Sequence, residues 1–98
     1  ELENRLEVLL AHILKRVYVN SDYDNRGWIL TIGEQRRRIR RLLKSSPSLK
    51  NHFSECFTEI FQDASEAVRP EYPEIEFPDG WQFSRDIDAI LNAAFWED

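Results

Sequence analysis

The sequence is poor in the residues that cross-link a chain or bend it sharply. It has one cysteine, three glycines and no methionine in 98 residues. A single cysteine excludes an internal disulfide, so a reducing cytoplasm is the simplest location. Three glycines do not suffice for a glycine-rich phosphate loop. No apolar run approaches the roughly 20 residues that span a bilayer, and we therefore expect no membrane segment.

Charge, by contrast, is abundant and unevenly distributed. Residues 1–44 carry 10 basic and 6 acidic side chains, a net +4, and residues 45–98 carry 3 basic and 12 acidic, a net −9, which together give −5. A dedicated nucleic-acid module is usually basic overall. The asymmetry predicts that the two halves attract each other, or that each faces an oppositely charged neighbour.

Apolar residues recur at helical spacing in three long segments. We predict helices over about Glu1–Tyr18, Trp28–Lys44 and Pro47–Val68. The loop between the first two is rich in Asn, Ser and Asp, and Asp22, Asp24 or Asn25 is expected to cap the second helix. A Ser-Pro pair at Ser46 and Pro47 predicts the start of the third.

The segment Arg69–Phe83, called the strap below, contains three prolines and a glycine and is not expected to be a regular helix. Its aromatic residues indicate that it packs onto the helices. Ser84 is expected to cap a short last helix, Arg85–Ala94, with Asp86 in its first turn. The sequence thus predicts an all-α fold: a three-helix bundle-like core, a proline-rich aromatic strap and a short C-terminal helix, in one domain over residues 1–98.

The first helix carries a second, weaker apolar stripe opposite its main one. The chain begins at Glu1 and lacks methionine, so we expect it to be a fragment that lacks a preceding helical segment. That segment, or a partner chain, would cover the second stripe, which we interpret as an association surface made of Val8, Ala11, Lys15 and Tyr18.

Five arginines fill positions 36, 37, 38, 40 and 41. At about 100° per residue, Arg36 falls on the apolar side of the second helix, beside Gln35. Both residues are therefore expected to stabilise the fold or to line a recess. A guanidinium there needs acceptors such as a carboxylate or helix-end carbonyls. The other basic side chains lie outside the apolar side, where they would contact phosphates, or carboxylates of the third helix or another chain: Arg37, Arg38, Arg40, Arg41 and Lys44.

Other candidate sites are weaker. Residues 21–27 match the start of a calcium loop, but Arg26 and Gly33 stand where ligands are needed. His52 and Cys56, one helical turn apart, supply only two metal ligands. His12 is a candidate general base without a neighbouring nucleophile in sequence. We therefore predict no metal and no cofactor, and a chain that is more typical of a non-enzyme than of an enzyme.

Three segments of the chain resemble a known family: RLEVLLAHILK from Arg5 to Lys15, TIGEQRRRIRRLLKSSPSL from Thr31 to Leu49, and DIDAILNAAFW from Asp86 to Trp96. With Trp28 they are similar to the bacterial domain of unknown function 29, a group of small proteins common in cyanobacteria. The resemblance implies an all-helical fold and a further N-terminal helical stretch. The segment RVYVNSDYDNRGW departs from the family pattern, and the resemblance implies no reaction, substrate or cofactor.

Two functions follow as hypotheses. The first is a non-catalytic module that binds another protein or self-associates, suggested by the second stripe of the first helix and by Leu30 on the basic side of the second. The alternative is nucleic-acid binding through the arginine-rich helix face.

Overall fold

The computed structural model describes residues 1–97 and is all-α within them. Its four α-helices are α1 (Leu2–Leu14), α2 (Asn25–Ser45), α3 (Leu49–Val68) and α4 (Ile87–Asn92). A π-helical turn, Lys15–Val19, extends α1. A 3-10 turn, Arg69–Glu71, extends α3.

The helix boundaries differ in detail from those predicted. α2 begins three residues earlier, with Asp24 at the N-cap position but no hydrogen bond from its side chain to the helix. α3 begins at Leu49, so Pro47 belongs to the preceding turn and not to the first helical position. The chain leaves the π-helical turn at Asn20, whose φ of 52° is left-handed, a conformation that asparagine tolerates better than most residues.

The first helix lies at the centre of the bundle because it packs against both α2 and α3, which barely touch each other. Its inward side chains are fully buried against both neighbours, as expected for a stripe with helical periodicity. The stripe consists of Leu2, Leu6, Leu9, Leu10, Ile13 and Leu14. It meets phenylalanines of α3, of which Phe53 and Phe57 are almost completely buried.

The strap covers the bundle with aromatic side chains, as predicted. Trp81 makes edge-to-face contacts with Phe57 and Phe61 of α3, with ring centres 5.6 and 5.8 Å away. It also meets Phe83 at 5.3 Å and Phe95 at 5.4 Å. Such contacts add to the free energy gained by apolar burial. Trp81 therefore joins the strap, α3 and the chain end in one cluster.

The last helix is shorter than predicted and is capped differently. Asp86 occupies the N-cap position with extended φ and ψ, not the first turn. Ser84 lies two residues earlier, and its hydroxyl accepts a hydrogen bond from the Asp86 amide at 3.2 Å. Ile90 and Leu91 anchor the helix in the core, where it bridges α2 and α3. No helix in residues 1–97 is long and apolar enough to cross a bilayer.

Replacing Trp81 by alanine should destabilise the fold by about 3 kcal/mol, because the change leaves a cavity among four aromatic rings. Urea unfolding followed by circular dichroism measures the loss. Tyr23, which is 94% exposed, is the matched control. Its replacement by alanine should change the free energy of unfolding by less than about 0.5 kcal/mol. Equal effects at the two sites would contradict the central place given to Trp81.

Candidate interaction surface

Arg36 is an inward-facing arginine, only 8% exposed. Its Nε donates to the Ile90 carbonyl at 2.9 Å and its Nη2 to the Ala93 carbonyl at 2.6 Å. These acceptors belong to the C-terminal end of α4, where helix carbonyls lack intrahelical partners and the dipole favours a cation. Burial, and then the charge of Arg40, lower the pKa of Arg36, but arginine remains charged at neutral pH.

Arg40 lies one turn after Arg36 and performs the same role. Its Nη2 donates to the Leu91 carbonyl, and to Oδ1 of Asn92 at 2.8 Å. Arg40 is exposed, as predicted, but unlike its outward neighbours it also donates to the end of α4. Its Nη2 thus binds the C-terminal end of α4.

Trp96 completes the attachment of the C-terminus. Its ring lies 5.7 Å from the guanidinium carbon of Arg36 and 5.8 Å from that of Arg16, both cation–π distances. Arg16 also donates to Oδ1 of Asn20 at 2.9 Å. Gln35, the other inward polar residue, is 9% exposed, and its Oε1 accepts no hydrogen bond from residues 1–97.

Replacing Arg36 by lysine should destabilise the fold by about 2 kcal/mol. A single ammonium on a shorter chain cannot reproduce the guanidinium fork, so a buried carbonyl of α4 loses its donor. Urea unfolding measures the change, and hydrogen exchange should show faster opening of residues 87–96. Arg37→Lys is the matched control, since Arg37 is exposed. A loss in Arg37→Lys as large as in Arg36→Lys would contradict this role.

The outward side of α2 carries the remaining basic residues of the run. Positions 26, 30, 34, 37, 41 and 44 recur at intervals of three or four and are all exposed, so they share one side of the helix. We call this side the basic face: Arg26, Leu30, Glu34, Arg37, Arg41 and Lys44. Leu30, at 63% exposure, is the most exposed large aliphatic residue among those described.

Glu34 is the acidic residue of this face, and it satisfies part of the charge locally. It lies 3.0 Å from the Arg38 guanidinium and 3.9 Å from that of Arg37. Arg41 and Lys44 make no ion pair or side-chain hydrogen bond within residues 1–97. The expected pairing of the outward basic residues of α2 with carboxylates of α3 does not occur in residues 1–97.

The five arginines of the run therefore fall into two groups with different contacts. Arg36 and Arg40 bind the end of α4, whereas Arg37, Arg38 and Arg41 face solvent. Sequence reasoning also missed Arg26, which precedes Arg37 by three helical turns and so shares its face. The sequence predicts that α2 begins at Trp28, which leaves Arg26 in the loop, so the shared face of Arg26 and Arg37 could be seen only once α2 was known to begin at Asn25.

The second stripe of α1 is partly covered by the strap. The Tyr18 ring packs edge-on against Phe77 at 6.1 Å, and Ala11 also contacts the core. The Lys15 ammonium lies 5.8 Å from the Trp28 ring. Val8 alone of this stripe is exposed, at 38%. The stripe is thus a smaller apolar surface than its sequence pattern indicated.

His12 is half-buried beside the same stripe. Its Nδ1 lies 2.8 Å from the Val8 carbonyl. A carbonyl only accepts, so Nδ1 carries the proton and Nε2 holds the lone pair in the neutral ring. Burial lowers the pKa of His12, the Val8 bond opposes this, and the charges of Lys15 and Glu71 follow as smaller influences of opposite sign.

Folding stability should therefore fall as the pH decreases through the ordinary histidine range. The unfolded chain binds a proton near pH 6.5, whereas the folded chain resists until a lower pH, so acid favours unfolding in that window. His12→Gln should lose less stability than the wild type between about pH 7.5 and about pH 5.5. Urea unfolding of the wild type and of His12→Gln at each pH tests this. Identical slopes for wild type and His12→Gln would contradict it.

The remaining candidates do not form a chemical centre. His52 Nε2 pairs with Glu3 Oε2 at 2.8 Å, and Cys56 lies among apolar side chains, where burial raises the pKa of its thiol. Among residues 1–97 no three histidine, cysteine or acidic side chains are placed to hold a metal. A cavity of about 260 Å³ lies beside Trp81, but its Arg85 already donates to Thr58 and to the Ser54 carbonyl.

The fold and this surface define a small all-α protein with one strongly basic helix face. Over residues 1–96 the chain matches the family described as domain of unknown function DUF29, and it belongs to that family. No curated protein and no solved structure matches it. The family description names no reaction, ligand or partner, so function has to be argued from the surface itself.

Proposed function

We propose that this protein is a non-catalytic protein-interaction module that binds an acidic partner surface through the basic face. The observation that carries the proposal is the exposure of Leu30 on a helix face whose Arg41 and Lys44 have no ion pair within residues 1–97. An apolar centre inside a polar rim is the usual anatomy of a protein interface, and arginine is enriched there. With one cysteine, the chain is suited to the reducing cytoplasm, where we propose that it acts.

The same features favour a protein partner over nucleic acid. A phosphate backbone is bound by cations and hydrogen-bond donors, and an exposed leucine contributes nothing to that contact. Single strands are usually held by stacked aromatic side chains, and none belongs to the basic face. Arg36 and Arg40, engaged at the end of α4, leave fewer free guanidiniums than the run of five indicated. The whole chain is also acidic, at −5.

His12 does not alter the non-catalytic assignment. Its Nδ1 is bonded to the main chain of its own helix, an arrangement that orients a structural histidine as well as a reactive one. A catalytic role would need a second polar group converging on Nε2.

Binding should depend on both Arg41 and Leu30. The probe is a fluorescein-labelled acidic helical peptide with leucines flanked by glutamates, followed by anisotropy. Arg41→Glu should weaken binding about tenfold, since an attraction becomes a repulsion. Leu30→Ser should weaken it by a similar factor through lost apolar burial. Arg5→Glu makes the same charge change on α1 and should have little effect on binding, because Arg5 lies outside the basic face and its ion pair is with Glu1.

Parallel titrations with single-stranded DNA and duplex RNA separate the two hypotheses. Binding of an oligonucleotide that weakens steeply with salt, responds to Arg41→Glu and ignores Leu30→Ser would replace the proposal by nucleic-acid binding. Absence of binding to peptide and oligonucleotides at low salt would refute both. Peptide binding that responds to Leu30→Ser supports the proposed function.

A further inference from the structure

The outward side of α3 is the charge complement of the basic face. Its exposed positions 55, 59, 62 and 66 recur at intervals of three or four, so they share one side of the helix. We call this side the acidic face: Glu55, Glu59, Gln62 and Glu66. None of its glutamates forms an ion pair within residues 1–97.

The two faces cannot meet within one molecule. Residues Ile32 and Ile39 turn one side of α2 toward the core, and Phe57 and Phe61 do the same for α3. The basic and acidic faces are on the opposite sides of their helices, so both point away from the shared core. Their attraction can be satisfied only between molecules.

We infer that the acidic partner of the basic face is a second copy of this chain, with α2 of one copy lying antiparallel to α3 of the next. The inference rests on the proposed function and names its partner. The matching interval supports it: Arg37 and Arg41 are four residues apart, and so are Glu59 and Glu55. Two helices with the same rise per residue can therefore form the pairs Arg41–Glu55 and Arg37–Glu59 at once.

The antiparallel direction also accounts for the rest of both faces. Continuing the same register places Glu34 opposite Gln62, so no like charges meet. Leu30 then lies beside the aliphatic stem of Glu66, which is exposed on α3. Arg26 falls next to the C-terminal end of α3, where the helix dipole favours a cation. The parallel direction with the same two arginines would carry Leu30 beyond the start of α3.

The contact joins two different faces, so it is heterologous. Each copy that donates its basic face keeps an acidic face free for a third copy, and repetition gives a ring or an open chain. Exposed ion pairs contribute little each, and the net charge of −5 opposes approach. The association is therefore weak and sensitive to salt.

Sedimentation velocity with charge-swap variants tests the pairing. The wild type should associate at about 20 mM salt and dissociate at about 500 mM. Arg37→Glu should weaken association about tenfold. Adding Glu59→Lys to Arg37→Glu should restore it, since the pair is rebuilt with its charges exchanged. The doubles Arg37→Glu/Glu66→Lys and Arg37→Glu/Glu55→Lys have the same net charge and should not restore it.

Each outcome decides the inference. Selective recovery with Glu59→Lys supports it. A wild type that stays monomeric at low salt overturns it, as does recovery with Glu66→Lys or Glu55→Lys, or equal recovery in all three doubles, which would reflect net charge alone. Circular dichroism checks that every variant is folded. Monomeric protein that still binds the acidic peptide through Arg41 and Leu30 would refute the self-contact and leave the proposed function standing.

Discussion

The hydrogen bonds from Arg36 to the last carbonyls of α4 are the constraint on which the rest of the structure depends. A six-residue helix is too short to be stable alone, so α4 exists through its tertiary contacts. Ile90 and Leu91 bury its apolar side, and Arg36 and Arg40 satisfy the carbonyls that burial would otherwise leave unpaired. Trp96, held beside Arg16 and Arg36, then fixes the chain end against the bundle.

The same interaction determines what α2 presents to solvent. Helical geometry couples neighbouring positions, so an inward Arg36 between Ile32 and Ile39 turns Arg37 and Arg41 outward. The rotation of α2 about its own axis thus determines both which of its residues enter the core and which form the basic face. A change that rotated this helix would expose the guanidinium of Arg36, release α4 and redirect the surface charges together.

Periodicity predicted the three long helices and the inward position of Arg36, because these depend on spacing within one segment. The prolines and aromatic residues of residues 69–83 predicted the strap. The role of Arg40 could not be predicted in this way. Its acceptors lie 51 and 52 residues further along the chain, and local spacing gives no information on where α4 ends. The ion pairs of Glu34 could have been predicted from the sequence. Glu34 is three residues from Arg37 and four from Arg38, the spacing that forms ion pairs on a helix.

The segregation of charge has no explanation in the stability of this fold. Exposed ion pairs between α2 and α3 would add little to folding, and like charges gathered on one helix face repel one another. A chain under selection for folding alone would be expected to mix its signs, as Glu34 does for Arg37 and Arg38. Separate basic and acidic faces instead project opposite fields from different sides of one molecule, which favours oriented approach of a complementary surface. An exposed leucine on the basic face adds short-range apolar contact to that long-range attraction.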